Sequence, residues 1–172
     1  MGSENEVLIV IPCVEFQDAE LSGVEDALSE ASIGIKMASS GANECRGVAG
    51  RTIMPDYTFD DLDPERFDAV IFIGGPGAES YLHDQGAHGL AKSFVALGKV
   101  VAAICWAPAI LANAGVLKGK NATCWDGAKN DLTDGGANYT GKSVEVDGNI
   151  VTANDPDAAI QFGQEIAKLL IG

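Results

Sequence analysis

The sequence predicts an α/β protein with a mostly parallel sheet that is covered by helices on both faces. Short, continuous apolar runs recur at residues 7–11, 69–73 and 100–104. Such runs are typical of strands buried on both faces. Segments of helical periodicity lie between them, and strands that alternate with helices at this rhythm form a parallel sheet. No repeat or low-complexity segment interrupts the 172 residues, so we expect one domain.

The elements follow one another in a regular order along the chain. Leu21, Val24 and Leu28 fall at helical spacing and predict a helix over residues 20–31, after a polar loop over residues 13–20. Further elements are predicted from the same patterns. They are strands over 33–39, 69–73 and 100–104, a short hairpin or meander over 44–54 and a hairpin over 144–153. The further helices are one over 87–97, one that follows Cys105 and ends at about 114, and a last one from 156.

The composition argues against several classes of partner. The formal charge is −14 at pH 7 and the pI is near 4.3, so neither nucleic acid nor an anionic membrane surface is expected to bind. No stretch approaches the roughly 20 apolar residues of a membrane span. The apolar run at 7–11 is too short for a signal peptide, so we expect a cytoplasmic protein.

The four cysteines are widely spaced, without a C-x-x-C pair or a neighbouring pair of histidines. This pattern predicts neither a disulfide framework nor a metal site, and we expect no cofactor. Cys13 and Cys124 are most simply buried residues without a role in the chemistry.

Cys105 is the strongest candidate for a reactive residue. It directly follows the strand predicted over 100–104, and Pro108 suits the first turn of a helix because a missing N–H costs nothing there. Ala103 and Ala107 give the small neighbours that a tight strand-to-helix turn needs, as in Gly-x-Ser-x-Gly. The positive end of the helix would favour the thiolate, so the turn predicts a nucleophile. A small buried cysteine at a strand end is the alternative interpretation.

Two loops are expected to meet Cys105, because the carboxyl ends of parallel strands lie at one edge of the sheet. One is the segment 13–20, and the other is the Gly74-Gly75 loop after a later strand. We expect backbone N–H groups from this glycine pair and from Trp106 to form an oxyanion hole for the attacking thiolate. A plain glycine turn is the alternative.

With these segments in order, the sequence resembles the ThiJ/PfpI superfamily over nearly its whole length. The resemblance implies a flavodoxin-like three-layer sandwich of the class I glutamine amidotransferase type, with Cys105 as the reactive thiol in a nucleophile elbow. It also implies a small-molecule substrate and a homo-oligomer, either a dimer or a hexamer. The residues that carry it are Ala103-Ile-Cys105-Trp-Ala-Pro108, the segment 110–120, the Gly74-Gly75 loop and Glu15-Phe-Gln-Asp-Ala-Glu-Leu21.

The resemblance assigns roles from which this chain departs. The glutamate that family members place beside the thiol, from the first loop, falls on Gln17, with Asp18 and Glu15 as substitutes if the loop shifts by a residue. An amide forms hydrogen bonds but cannot act as a general base. Histidines that relatives place directly after the cysteine, or further along, are replaced by Trp106 and Trp125.

The remaining residues of the expected site surround it. Trp106 and Trp125 are interpreted as pocket walls that favour a small substrate, with core packing as the alternative. Glu79 matches the position from which protease-like members lend a carboxylate to a neighbouring subunit. His83 and His88 are most simply surface residues at helix ends.

Three functions are compatible with this set of residues. The first is a glyoxalase- or deglycase-like enzyme in which Cys105 adds to the aldehyde of a dicarbonyl and gives a hemithioacetal. The second is a cysteine peptidase or amidase, which the missing histidine beside Cys105 disfavours because the leaving amine must be protonated. The third is a redox-sensing stress protein without turnover, in which Gln17 donates a hydrogen bond to oxidised Cys105. We rank the first function, the glyoxalase- or deglycase-like enzyme, highest.

Overall fold

The computed structural model describes residues 4–172, in which strands and helices alternate as the sequence predicts. No helix in this range is long and apolar enough to cross a membrane. The strands are β1 (Glu6–Val10), β2 (Val14–Phe16), β3 (Gly34–Ser39), β4 (Cys45–Gly47), β5 (Thr52–Ile53), β6 (Tyr57–Thr58), β7 (Ala69–Phe72), β8 (Val100–Ile104), β9 (Asn121–Ala122), β10 (Asn138–Tyr139), β11 (Val144–Asp147) and β12 (Ile150–Ala153). The helices are α1 (Asp18–Glu30), α2 (Gln85–Ala96), α3 (Pro108–Asn113), α4 (Lys129–Asp134) and α5 (Ala159–Ile171), with short 3₁₀ helices at Pro64–Arg66, Pro76–Tyr81, Asp126–Ala128 and Pro156–Ala158.

The main sheet has the strand order β11-β12-β8-β7-β1-β3-β6. Its pairs are parallel except for the hairpin β11–β12 at one edge, so the predicted sheet type and that hairpin are confirmed. The strands β8 and β7 lie inside the sheet and are buried along their whole length, which explains their continuous apolar sequences. The strand order reverses at β1, and ligands of such sheets bind beyond the carboxyl ends of the strands near this point.

Helices cover both faces of the sheet and give three layers. In β1, Val7 and Ile9 point to the cluster that includes residues of α1 and α5, whereas Leu8 and Val10 point to the cluster that includes residues of α2, α3 and α4. Successive residues of a strand face opposite sides, so one apolar strand contributes to both cores. The two cores fix the central strands and hence the position of the loops at their ends.

Two details of the loop after β1 differ from the prediction. Helix α1 begins at Asp18, two residues earlier than expected, after Gln17 in an extended conformation. Acidic residues favour the first turn of a helix, and here they extend it into the segment that we predicted as a polar loop. The short strand β2 also lies in this segment and pairs with β4, while the hairpin of β4 and β5 is confirmed. As a result, Glu20 lies in the first turn of α1 rather than at its start.

Candidate active site

Cys105 lies in a sharp turn between β8 and α3. Its φ of 64° is a left-handed conformation that side chains other than glycine rarely adopt. Its N–H donates to Ala153 O at 2.9 Å, and its carbonyl oxygen accepts from Trp125 N–H at 2.7 Å. Both backbone groups are therefore bound to neighbouring segments, which holds the strained turn in place. The side chain is half-buried, at the carboxyl edge of the sheet.

The carboxyl group beside Cys105 belongs to Glu20. Glu20 is completely buried, and its Oε1 accepts a hydrogen bond from Gly74 N–H at 2.9 Å. Its Oε2 has no conventional hydrogen-bond partner within residues 4–172. The Cys105 thiol nevertheless lies within hydrogen-bonding reach of the Glu20 carboxyl, and the two groups shift each other's pKa. A carboxyl group within hydrogen-bonding reach of a thiol is placed to exchange a proton with it.

The two groups oppose each other's ionisation. Burial raises the pKa of Glu20 to about 8, against the lowering effect of the hydrogen bond from Gly74. Burial, followed by the negative charge of Glu20, raises the pKa of Cys105 to about 12. The predicted lowering of this pKa by a helix terminus is therefore wrong, because burial and the charge of Glu20 raise the pKa more than the backbone N–H groups of Trp106 and Gly75 lower it. At neutral pH the site holds a neutral thiol beside an acid whose pKa lies near that pH.

Two backbone N–H groups face the Cys105 sulfur, those of Gly75 and Trp106. Both lower the pKa of Cys105, although by less than burial and Glu20 raise it. Gly75 has a φ of 108°, and a Cβ at this position would lie 2.5 Å from Glu15 O. Only glycine fits this close approach of two loops. The two N–H groups form a cradle for negative charge next to the sulfur.

Gly74 has a different role from the one we predicted. Its N–H donates to Glu20, so it does not face the reaction centre as an oxyanion donor. A Cβ on Gly74 would lie 2.7 Å from Ile104 O and 3.0 Å from both Cys105 Cβ and Glu20 Oε1. The missing side chain is what allows the carboxyl group and the thiol to meet.

A cavity of about 320 Å³ opens above Cys105. The rings of Trp106 and Trp125 meet edge to face, with their centroids 5.8 Å apart, and Trp125 is 45% exposed. The walls of the cavity are mainly apolar, which suits a small molecule of low charge. The lining residues are Gln17, Gly75, Pro76, Cys105, Trp106 and Trp125.

Comparison with known proteins settles the family. The model of the DJ-1/PfpI family matches residues 5–169. The chain belongs to the DJ-1/PfpI family. Deglycase PH1704 of Pyrococcus horikoshii is 35% identical over 156 residues, which cover 91% of this chain and 94% of that protein. Deglycase PfpI of Pyrococcus furiosus is 33% identical over 163 residues, which cover 95% and 98%. The crystal structure of a ThiJ/PfpI domain protein from Brachyspira murdochii is 34% identical, covers 98% of both chains and has a TM-score of 0.95.

The resemblance to the family implies a carboxylate beside the thiol. The structure has this carboxylate, but three residues after Gln17, where we predicted it. Gln17 lines the cavity, but the acid next to Cys105 is Glu20. Asp18, which the sequence offers as a substitute for Gln17, faces away from the thiol. Its two oxygens accept hydrogen bonds from Ala49 N–H and Arg51 N–H, at 2.8 and 3.0 Å. Asp18 thus holds the loop between β4 and β5.

The other predicted residues lie outside the Cys105 cavity. Glu15 and Glu79 are exposed and line a separate cavity of about 510 Å³. His88 contacts Leu82 O through Nε2 at 2.8 Å, and neither it nor His83 lines the Cys105 cavity. The structure therefore places Gln17, Gly75 and the two tryptophans around Cys105. The two exposed glutamates lie outside the Cys105 cavity.

Proposed function

We propose that this protein is a cysteine-dependent enzyme that converts small reactive dicarbonyls, as glutathione-independent glyoxalases and deglycases do. One observation carries the proposal: a buried carboxyl with a pKa of about 8 lies within hydrogen-bonding reach of a half-buried thiol. Two relatives above 30% identity are named deglycases, which supports the same class of reaction.

The first step forms a bond between Cys105 Sγ and the aldehyde carbon. The thiol is neutral near pH 7, so its proton must leave as the bond forms. Glu20 has an oxygen free to take that proton, and a base whose pKa is close to the working pH is efficient. The electron pair of the C=O bond moves to oxygen, where the N–H groups of Gly75 and Trp106 stabilise it. Glu20 then passes the thiol proton to this oxygen, which gives a hemithioacetal and leaves Glu20 ionised.

The second step moves a proton between the two carbons. Ionised Glu20 removes the proton from the carbon bound to sulfur, and the electron pair passes to the neighbouring carbonyl through an enediol. Glu20 returns the proton to the second carbon, and the hydroxyl proton on the first carbon moves to the oxygen of the second, which gives a thioester of a 2-hydroxy acid. Water then cleaves the thioester and restores the Cys105 thiol, so that methylglyoxal and water give lactate.

The size of the cavity supports a small substrate. About 320 Å³ is at the lower end of the range for small-molecule sites. Its apolar tryptophan walls offer no charged group to bind an ionic substrate. A dicarbonyl of a few carbon atoms fits this space and exposes its aldehyde to the sulfur.

Production of lactate from methylglyoxal tests the proposal. We expect the purified protein to form lactate, detected by NMR, and Cys105→Ala to lower the rate at least about 10³-fold because the nucleophile is lost. Cys13→Ala is the matched control, since Cys13 lies outside the Cys105 cavity, and it should retain the activity. Equal rates for the unmodified protein and Cys105→Ala would exclude the proposal.

A redox-sensing role is the second candidate, and the N–H groups of Gly75 and Trp106 favour it. These donors, together with a neutral Glu20 carboxyl, suit the negative charge of a Cys105 sulfinate. Mild hydrogen peroxide should then add two oxygen atoms at Cys105, and methylglyoxal should not be turned over. Oxidation spread evenly over the four cysteines would exclude this role.

A further inference from the structure

A second pair of reactive groups lies away from the Cys105 cavity. The sulfurs of Cys13 and Cys45 are 2.6 Å apart, although 32 positions separate the two residues along the chain. The backbone brings them together, because Arg46 N–H donates to Cys13 O at 2.9 Å beside the pairing of β2 with β4. A disulfide bond is about 2.05 Å long, so a displacement of roughly half an ångström would join the two sulfurs.

The two thiols differ in their access to solvent. Cys13 is half-buried, contrary to the prediction from sequence, and it opens into the cavity of about 510 Å³. Cys45 is completely buried, and burial raises its pKa to about 12. Cys13 is thus the sulfur that meets a reagent from solution, and Cys45 is placed to react with whatever forms on Cys13.

The charge of this cavity restricts the reagent. Glu15 and Glu79 line it and are exposed, and none of its lining residues is a lysine or arginine. The whole chain has a formal charge of −14. Anionic oxidants such as glutathione disulfide are therefore repelled, whereas a small neutral hydroperoxide is not.

We propose that Cys13 and Cys45 form a redox-active dithiol, separate from Cys105, which a neutral hydroperoxide converts to a disulfide. The Cys13 sulfur attacks one peroxide oxygen as its thiol proton leaves, and the O–O bond breaks. Cys13 sulfenic acid forms, and the other oxygen takes that proton and leaves as water or an alcohol. The Cys45 sulfur then attacks the sulfenic sulfur, and the hydroxyl group leaves as water with the Cys45 proton. The two sulfurs supply the two electrons that reduce the peroxide, and a dithiol reductant reverses the change.

The disulfide would fasten a wall of the Cys105 cavity to the strand β4. The segment after Cys13 packs against the glycine loop, since Gln17 N–H donates to Gly74 O at 3.0 Å and a Cβ on Gly77 would overlap Val14 O. Closing a loop of this length restricts the unfolded chain. We expect the midpoint of thermal unfolding to rise by roughly 5–10 °C on oxidation and to return on reduction.

Peptide mapping of the full chain tests this proposal in the Cys105→Ala background, so that its outcome does not depend on the proposed enzyme activity. The protein is treated with hydrogen peroxide, its free thiols are alkylated, and it is digested without reductant. We expect a peptide pair linked through Cys13 and Cys45, with two hydrogen atoms lost, and a rate at least about tenfold higher than with glutathione disulfide at equal concentration. Equal rates would overturn the neutral hydroperoxide as oxidant.

Single substitutions give the controls. Cys13→Ser and Cys45→Ser should each abolish the linked peptide, whereas Cys124→Ser should retain it. Because Cys45 is in the core, Cys13→Ser at the half-buried position tests the pair even if Cys45→Ser fails to fold. The proposal would be overturned if both Cys13 and Cys45 were still alkylated after treatment with peroxide. It would also be overturned if Cys13 were linked to Cys124.

Discussion

Asp18 and Glu20 come from the same turn of α1 and are both buried, but they have opposite surroundings. Both oxygens of Asp18 accept backbone hydrogen bonds, from Ala49 and Arg51. Glu20 accepts one, from Gly74, and its second oxygen has no conventional partner within residues 4–172. The oxygens of Asp18 are held by backbone N–H groups, whereas the carboxyl of Glu20, whose pKa burial raises to about 8, lies beside Cys105 and is placed to exchange a proton with it.

The comparison shows that position along the sequence does not decide which acid is reactive. Asp18 points to the loop between β4 and β5 and joins it to α1. Glu20 points across the carboxyl edge of the sheet, where Gly74 leaves room for it beside Cys105. We infer that substitution of Glu20 affects the chemistry, and substitution of Asp18 affects stability.

The largest effect is expected for Glu20→Gln. The amide keeps the size and the acceptor for Gly74 N–H, but it cannot take a proton from Cys105. We predict that kcat/KM for methylglyoxal falls by about 10²–10⁴-fold. Steady-state kinetics at pH 8 measure the loss, and a decrease below tenfold would show that Glu20 is not the base.

The same substitution is expected to stabilise the fold, to an extent that depends on pH. Between the ordinary pKa of 4.5 and the native value of about 8, native Glu20 keeps a proton that the unfolded chain releases. Stability of the unmodified protein therefore falls as pH rises through this range, by up to about 1.4 kcal/mol per pH unit. We predict that Glu20→Gln gains roughly 2–4 kcal/mol more at pH 8 than at pH 5. Urea unfolding at the two pH values measures this gain, and an equal change at both would contradict it.

Asp18→Ala is expected to have the reverse effect. It removes two charge-assisted hydrogen bonds to the loop between β4 and β5, so the free energy of unfolding should fall by about 1–3 kcal/mol. The folded protein should keep its kcat/KM within about threefold, because Asp18 does not contact the thiol. A loss of activity equal to that of Glu20→Gln would contradict the claim that Asp18 affects only stability.

The smallest effect is expected for Gln17, the residue just before these two. Its side chain lines the Cys105 cavity. Its hydrogen bond to Gly74 O is donated by the backbone N–H, so a substitution of the side chain leaves that bond in place. Gln17→Ala should raise KM less than about fivefold and leave kcat nearly unchanged, a cost of about 1 kcal/mol. A large fall in kcat would give Gln17 the role that we assign to Glu20.

The central strands and the turn at Cys105 could be predicted because each carries its own local pattern. β7 and β8 are uniformly apolar, and small residues flank Cys105 in the turn. The sequence also contains a pattern that indicates burial of Glu20. This residue precedes Val24 and Ala27 by four and seven positions, and all three lie on the buried face of α1.

The contact of Cys13 with Cys45 could not be predicted in the same way. It depends on the pairing of β2 with β4, and a strand of three residues has no periodicity of its own. Likewise, the raised pKa of Cys105 follows from burial and from the charge of Glu20, which a motif does not show.

The pH dependence of kcat/KM for methylglyoxal, compared between the unmodified protein and Glu20→Gln, tests the central claim most directly. If Glu20 is the base with a pKa of about 8, the rate should rise roughly tenfold per pH unit below that value and level off above it. Glu20→Gln should be slower and should lack the change of slope near pH 8. The same change of slope in both proteins, or a flat profile in the unmodified one, would contradict the proposed pairing of Glu20 with Cys105.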